Sequence, residues 1–312
     1  MAESSSGQPD QPLVISAQAL RDWPLPKPQG KKHSRGQVLV IGGGRTTPGA
    51  AMLAGLAALR AGAGVLTLAV AGSVAATVAA AVPEAGVLWL PENAEQVLDA
   101  EAVPAVTGRL SKASALLVGP GLDDPDGARK LLAALIDEIP EQLPVILDAF
   151  AIGVLPDLDE GAQSALRGRL VLTPNETELR YLIGAGDSGS GDSGSDGGGS
   201  EEDGVPLDEL RKVADRYQAV LSCDNTVVRP DGRAWTVPAG HSGLGTSGSG
   251  DVLAGAVTGL IARGADLDQA TCWATYLHAT AGDRLAAPVG PLGFLAGELL
   301  GQLPLILAEL RP

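Results

Sequence analysis

Gly245-Thr246-Ser247-Gly248-Ser249-Gly250-Asp251-Val252-Leu253-Ala254-Gly255 is a glycine-dominated loop that runs straight into an apolar helix. Glycines carry no side chain, so the backbone N–H groups of such a loop can approach an anion closely. The helix N-terminus adds roughly half a positive charge. Asp251 stands at the start of that helix, where it reads either as an N-cap or as a carboxylate beside the anion. The same layout recurs upstream. Gln37 to Ile41 is an apolar run ending in Gly42-Gly43-Gly44, and Ala115 to Val118 ends in Gly119-Pro120-Gly121. Val145 to Leu147 ends at Asp148, and Leu170 to Leu172 runs into Thr173-Pro174-Asn175. Each reads as a buried strand feeding a turn.

Helical stretches alternate with these strands. They lie at Ala50 to Ala61 with Gly62 as C-cap, Val74 to Ala81, Gly127 to Ile139 and Glu178 to Leu182, with a further strand at Val65 to Val70. Downstream come a helix at Leu207 to Tyr217, a strand at Ala219 to Ser222, and a hairpin of Thr226 to Arg229 and Ala234 to Val237 about Pro230-Asp231-Gly232. Two long helices follow, Asp251 to Arg263 and Gln269 to Leu285. Strand–helix alternation of this kind predicts an α/β fold of three layers, α/β/α, around a mostly parallel sheet.

Hydrophobic residues make up 45% of the 312 and aromatics only 3%, so the core is built from Ala, Val, Leu and Ile. The balance of 22 basic against 37 acidic residues, net −15, excludes the basic face that nucleic acid or anionic lipid requires. Cys223 and Cys272 are too few for a disulfide framework, and no CxxC or HExxH spacing exists for zinc. Met1 to Asp10 lacks the basic-then-apolar layout of a signal peptide, and no apolar run approaches the ~20 residues that span a bilayer. The expectation is a cytoplasmic protein without membrane contact.

Residues 1–30 are expected to be a tail, disordered and then extended at Trp23-Pro24-Leu25-Pro26. Residues 31–312 form one domain. Within it, residues 186–204 are low-complexity Gly/Ser/Asp/Glu, a disordered loop. Eight acids and no base lie between Asp187 and Glu209. This reads as a regulatory or partner-binding loop, or as a tolerated surface insertion.

Asn175-Glu176-Thr177-Glu178 gives Asn-x-x-Glu after a strand. The pair Asn175 and Glu178 could hold the water shell of Mg²⁺ near phosphates, because hard cations prefer oxygen ligands. Equally, Asn175 could cap a helix with Glu178 completing a capping box.

Asn-x-x-Glu followed by a glycine loop and GxGD resembles the ribokinase-like superfamily. The order of motifs is narrower. Gly42-Gly43-Gly44, Pro48-Gly49-Ala50, Ala57 to Gly64 (AALRAGAG), Val118 to Leu122 (VGPGL), Leu147-Asp148-Ala149, Leu172-Thr173-Pro174, Gly248 to Gly255 (GSGDVLAG) and His278 to Asp283 (HATAGD) resemble the ADP/ATP-dependent NAD(P)H-hydrate dehydratases. The likeness runs from about Lys31 to Leu303.

The resemblance implies a repair enzyme for hydrated NADH or NADPH. Hydroxide leaves poorly, so phosphoryl transfer from ADP or ATP to the hydroxyl, followed by loss of phosphate, restores the cofactor. Asp251 would be the general base. The N–H groups of Gly248, Ser249 and Gly250 would bind the phosphoryl oxygens, with Mg²⁺ as the expected counter-ion. Ala50, Gly121, Asn175 and Asp251 fall where the family contacts the hydrated dinucleotide. Ser222, Cys223, Asp224, Asn225, Thr226 and Gly250 fall where it contacts the adenine nucleotide. Homo-oligomers, often tetramers, are usual for the family. No epimerase partner domain is expected before Lys31.

Four departures from the family pattern stand out. Ser222-Cys223 replaces Lys-Gly, Asn175 to Glu178 replaces His-Pro-Gly-Glu, Asp148 to Gly153 (DAFAIG) replaces DADALN, and Gly240 to Leu244 (GHSGL) replaces GNPGM. Two other readings therefore stay open: a small-molecule kinase of the same superfamily, and an inactive nucleotide-binding homologue. Among the remaining polar residues, His278 reads as a satisfied core or interface histidine and Asp283 as a helix-surface or interface charge. Cys223 reads as a buried filler, Asp148 as a site residue at the sheet's carboxyl edge, and His241 as a loop residue able to touch ligand. The four tryptophans show no stacking pattern.

Overall fold

The computed structural model describes residues 11–27, 30–184 and 205–311. The tail before Gln11 and the acidic loop at 186–204 lie outside the described residues. Among the described residues, ten strands form one sheet: β1 (Leu13–Val14), β2 (Gln37–Ile41), β3 (Val65–Ala71), β4 (Ala85–Leu90), β5 (Ala115–Val118), β6 (Val145–Leu147), β7 (Leu170–Leu172), β8 (Ala219–Cys223), β9 (Thr226–Val228) and β10 (Ala234–Thr236). Their order is β1-β10-β9-β8-β7-β6-β5-β2-β3-β4. Every neighbouring pair is parallel except the two that involve β9.

Both faces of the central strands are buried, which is why they read as continuous apolar runs. The pleat sends alternate residues to opposite cores. Val38 and Val40 of β2 join Leu117 of β5, Ile146 of β6 and Val171 of β7 on one face. Leu39 and Ile41 join Leu116, Val118, Leu147 and Leu172 on the other. Helices Pro48–Arg60, Ser249–Ala262, Leu267–Val289 and Ala296–Glu309 cover the first face. Helices Pro125–Ile136, Glu160–Leu166, Glu176–Gly184 and Leu207–Tyr217 cover the second. The three-layer α/β/α arrangement is as the sequence predicts.

Helices Pro48–Arg60 and Ser249–Ala262 pack backbone to backbone. A Cβ built on Gly255 would lie 2.0 Å from Ala54 O, and one on Gly259 would lie 2.4 Å from Ala58 O. Ala54 and Ala58 line this seam, and Ala51 and Ala57 of the same helix are also fully buried.

The N-terminal expectation needs correction. The segment before Lys31 is not a plain tail that is disordered and then extended: it supplies β1, which pairs with β10, and helix Ala17–Asp22 capped by Ser16. Ile15 and Leu20 are buried. Trp23 stacks on Trp235 at 6.0 Å and 24°, and its carbonyl accepts from Trp273 Nε1 at 3.0 Å. Two tryptophans thus do stack. A two-residue strand and a six-residue helix carry too little periodicity to be read from sequence, and the partners of Trp23 lie more than 200 residues away. Strand β4 and helix Ala296–Glu309 also go unread.

Candidate active site

The carboxyl ends of β2, β5, β6, β7 and β8 meet at one edge of the sheet. Strand β2 sits between β3 and β5, so the connection leaves β2 to one side and later returns on the other. Ligands of open α/β sheets bind at such a reversal. Two glycine turns close on each other there. Gly43 N–H donates to Pro120 O at 2.8 Å and Gly44 N–H to Gly121 O at 2.6 Å. Gly121 has φ +72°, and a Cβ on it would lie 2.3 Å from Thr47 O and 3.1 Å from Ala50 Cβ. Ala50 and Gly121 are therefore neighbours.

One helical turn beyond Ala50, Leu53 reaches the anion turn, since a Cβ on Gly248 would lie 2.6 Å from Leu53 Cδ1. Gly248, with φ +88°, is the N-cap of helix Ser249–Ala262, and no side chain caps that helix. The N-cap reading of Asp251 is thereby excluded: it is the third residue of the helix, with its carboxylate free of the cap. Among the described residues, the N–H groups of Gly248, Gly250 and Asp251 meet no acceptor, whereas Ser249 N–H donates to Thr246 O at 3.1 Å. That bond withdraws Ser249 from the three main-chain donors expected at this turn. Its hydroxyl instead meets His278 Nε2 at 2.8 Å.

Three carboxylates gather beside the turn. Burial pushes Asp251 up to about 6, with the Glu178 charge adding to it. Asp148 is raised well above the usual carboxylate range by burial and by the charges of Asp251 and Glu178, although Thr173 Oγ1 donates to it at 2.8 Å. Glu178 is raised by burial, while a hydrogen bond from the Asn175 backbone opposes the shift. Asn175 and Glu178 do form a capping box: Glu178 N–H donates to Asn175 Oδ1 at 2.8 Å and Asn175 N–H to Glu178 Oε2 at 3.0 Å. Both residues are thus engaged in helix capping. Among the described residues, no group of three or more His, Cys, Asp or Glu is placed to hold a metal ion.

A cavity of about 540 Å³ opens between the anion turn and the β8–β9 hairpin. Asn175, Ser222, Cys223, Asp224, Asn225, Ser249 and Gly250 line it, so most of the residues expected at the nucleotide share one wall. Thr226, Gly248, Ala50, Gly121 and Asp251 are not part of that lining. Asp224 and Asn225 form the two-residue turn of the hairpin with φ +45° and +58°, and Asn225 Nδ2 anchors Ala239 O at 3.0 Å. Cys223 is buried and its thiol is pushed up to about 12, which makes it a filler and not a nucleophile. His241 lines the cavity, with Nδ1 accepting from Gly243 N–H at 2.9 Å. Asp283 is more than a surface charge: both its oxygens accept from Gly240 N–H at 3.1 Å and tie down the cavity rim. The Ser249–His278 and Ser222–Thr275 hydroxyl contacts escape sequence reading. Their only signal is a few polar residues at helical spacing in an otherwise apolar helix.

A family model for NAD(P)H-hydrate dehydratase matches residues 38–305. The chain belongs to the NAD(P)H-hydrate dehydratase family. It is 40% identical over 300 residues to an ADP-dependent (S)-NAD(P)H-hydrate dehydratase of Xanthomonas campestris, with 95% of this chain and 96% of that protein aligned. It is 33% identical over 302 residues to a bifunctional NAD(P)H-hydrate repair enzyme of Moorella thermoacetica, covering 96% of this chain but 54% of the relative, so it spans about half the length of that larger protein. Among solved structures, an ADP/ATP-dependent NAD(P)H-hydrate dehydratase of Bacillus subtilis, co-crystallized with ATP/Mg²⁺, shares the fold at a TM-score of 0.71 and 22% identity, covering 97% of this chain and 100% of that one. A ribokinase-like superfamily protein of Enterococcus faecalis does so at 0.77 and 22% identity, with 96% of each chain covered. The ribokinase-like framework here carries glycine turns and a GxGD helix start. Where the family resemblance leads one to expect a lysine at the end of β8, Ser222 is buried and bonded through Oγ to Thr275 Oγ1 at 3.0 Å.

Proposed function

We propose that this chain regenerates NADH and NADPH from their hydrated forms by ADP- or ATP-dependent dehydration. The observation that carries the reading is Asp251. Its carboxylate sits in the first turn of a helix whose leading N–H groups are uncapped, beside a nucleotide-sized cavity, with a pKa of about 6. A base of that pKa is ionised at neutral pH and still accepts a proton readily. Asp251 takes the proton of the hydrate hydroxyl as its oxygen bonds to the terminal phosphorus, and the bridging P–O bond breaks to release AMP or ADP. Phosphate then leaves carbon with the C–O electron pair, and loss of a proton from the adjacent carbon restores the double bond. The N–H groups of Gly248, Gly250 and Asp251 bind the phosphoryl oxygens throughout. Ala50 and Gly121 contact the hydrated dinucleotide, while the wall from Ser222 to Asn225 contacts the adenine nucleotide.

Mg²⁺ fits this donor set as a cation brought in on phosphate. The acidic trio Asp148, Glu178 and Asp251 supplies negative charge, and Asn175 and Glu178 would hold the ion through water. When bound, it neutralises phosphate charge for transfer. Two free, buried cysteines suit a reducing cytoplasm. No helix among the described residues is long and apolar enough to cross a membrane. Leu292, Leu295 and Leu305, all exposed, offer apolar surface to a second copy in a homo-oligomer.

The decisive test is recovery of reduced-nicotinamide absorbance from NADH hydrate with ADP, ATP or no nucleotide, each with Mg²⁺. Nucleotide-dependent recovery is expected. Its absence from folded protein, or accumulation of a stable phosphoester, sinks the proposal.

Gly250 offers a separate check. Nothing lies within 4 Å of a Cβ built there, and the residue lines the cavity. Gly250→Ala is expected to leave the unfolding midpoint within about 2 °C, as an alanine in a helix is tolerated. The methyl group occupies phosphoryl space, so affinity for ADP by calorimetry should fall at least about tenfold, a loss of ~1.4 kcal/mol. Unchanged affinity would remove Gly250 from the site.

A further inference from the structure

Helix Leu267–Val289 forms the back wall of the cavity and grips it at three points. Thr275 holds Ser222 at 3.0 Å, His278 holds Ser249 at 2.8 Å, and Asp283 holds Gly240 at 3.1 Å. The middle contact differs from the others because Ser249 belongs to the anion turn itself. Its main-chain N–H is already committed to Thr246 O, so only its hydroxyl is available to a ligand. Both Ser249 and His278 line the cavity, and both are buried, at 3% and 7% exposure.

A hydroxyl has one proton to give. If Ser249 donates to the imidazole, it turns lone pairs toward the phosphoryl group and repels it. If the imidazole donates to Ser249, the hydroxyl proton is released toward the cavity. We propose that His278 donates its Nε2–H to Ser249 Oγ and thereby orients the Ser249 hydroxyl as a side-chain donor to the phosphoryl group at the anion turn.

His278 is thus a positioning residue, and Ser249 the group that touches the nucleotide. Burial pushes the His278 pKa down to about 4, so the ring is neutral at physiological pH and one nitrogen carries its single proton. An anion in the cavity selects the Nε2-protonated tautomer, because only then does the Ser249 proton face it.

The inference rests on the nucleotide reading of the cavity, and the experiment separates the two. Binding of ADP with Mg²⁺ is measured by calorimetry for the native protein, Ser249→Ala, His278→Leu, His278→Gln and the Ser249→Ala/His278→Leu double variant. A hydrogen bond to a charged group corresponds to roughly ten- to a hundredfold in affinity. Ser249→Ala and His278→Leu are each expected to weaken binding about tenfold or more. The double variant should be no weaker than the weaker single one, because both remove the same donor. Glutamine carries an amide N–H near the position of Nε2, and His278→Gln should bind within about threefold of native. Native-like affinity in Ser249→Ala, or multiplicative losses in the double variant, overturns the proposal. Failure of the native protein to bind ADP overturns the nucleotide reading instead.

Should the His278 variants not fold, ring ¹⁵N shifts of the native protein decide the matter. The chain has only three histidines, His33, His241 and His278. The expected signature for His278 is a protonated Nε2 and no titration between pH 5.5 and 8. An Nδ1-protonated ring refutes the assignment.

Discussion

Asp251→Asn is expected to lower turnover by about a thousandfold, within the usual range for loss of a general base, while making the folded protein more stable at pH 8. The second effect follows from the sign of the pKa shift. Burial raises the folded-state pKa from the ordinary 3.8 to about 6, so the native protein holds this proton more tightly than the unfolded chain does. A group raised in this way favours folding fully below pH 3.8, and that contribution is lost as the pH rises through 6. Above pH 6 the buried charge weighs against the native state, and asparagine removes it. The difference is about 2 kcal/mol, allowing for the part of Asp251 that solvent reaches. Thermal unfolding at pH 8 should show a higher midpoint for Asp251→Asn, and at pH 4 the two proteins should coincide. The native rate should climb through a midpoint near pH 6. A variant that is inactive but less stable at pH 8 would contradict this account of the residue.

Gly255→Val is expected to abolish the fold, not merely the activity. The Cβ would lie 2.0 Å from a main-chain oxygen of the neighbouring helix, and that helix cannot withdraw because its buried alanines already pack on the sheet. Relief requires the two backbones to part along the seam through Gly259. The cost is at least about 4 kcal/mol, above ordinary overpacking because the obstacle is backbone. Urea unfolding would read it, with Gly250→Ala, five residues away on the same helix, as the folded control. A midpoint within error of native would mean that the seam is compliant. The seam bears on chemistry as well: it fixes the helix that carries Asp251 against the helix that carries Ala50.

What could be read in the sequence follows how local each feature is. Four strands ending in small turns could be found because each is a short apolar run beside a break, and the GxGD helix start because its glycines lie close together in sequence. Residues 13–22 could not, because β1 exists only through its pairing with β10. The capping box of Asn175 and Glu178 is a spacing of three residues and was legible as one of two alternatives. The Ser249–Thr246 bond was not, because nothing in GTSGSGD says which amide the turn consumes. His278 looked like a satisfied buried histidine and is one. That its partner is the anion turn depends on a contact between residues 29 apart, which two helices and the loop between them must fold to create.

The phosphoryl site is made mostly of main chain. A point mutation exchanges a side chain and leaves the amide where it was, so Ser222, Cys223 and His241 can drift without erasing the donors of the turn. Only proline, or bulk at one of its glycines, removes the main-chain donors that bind the anion. Heredity therefore bears on the main-chain donors of this site through very few codons, and the surrounding wall is left free to diversify, while the carboxylate of Asp251 and the hydroxyl of Ser249 stay exposed to single substitutions.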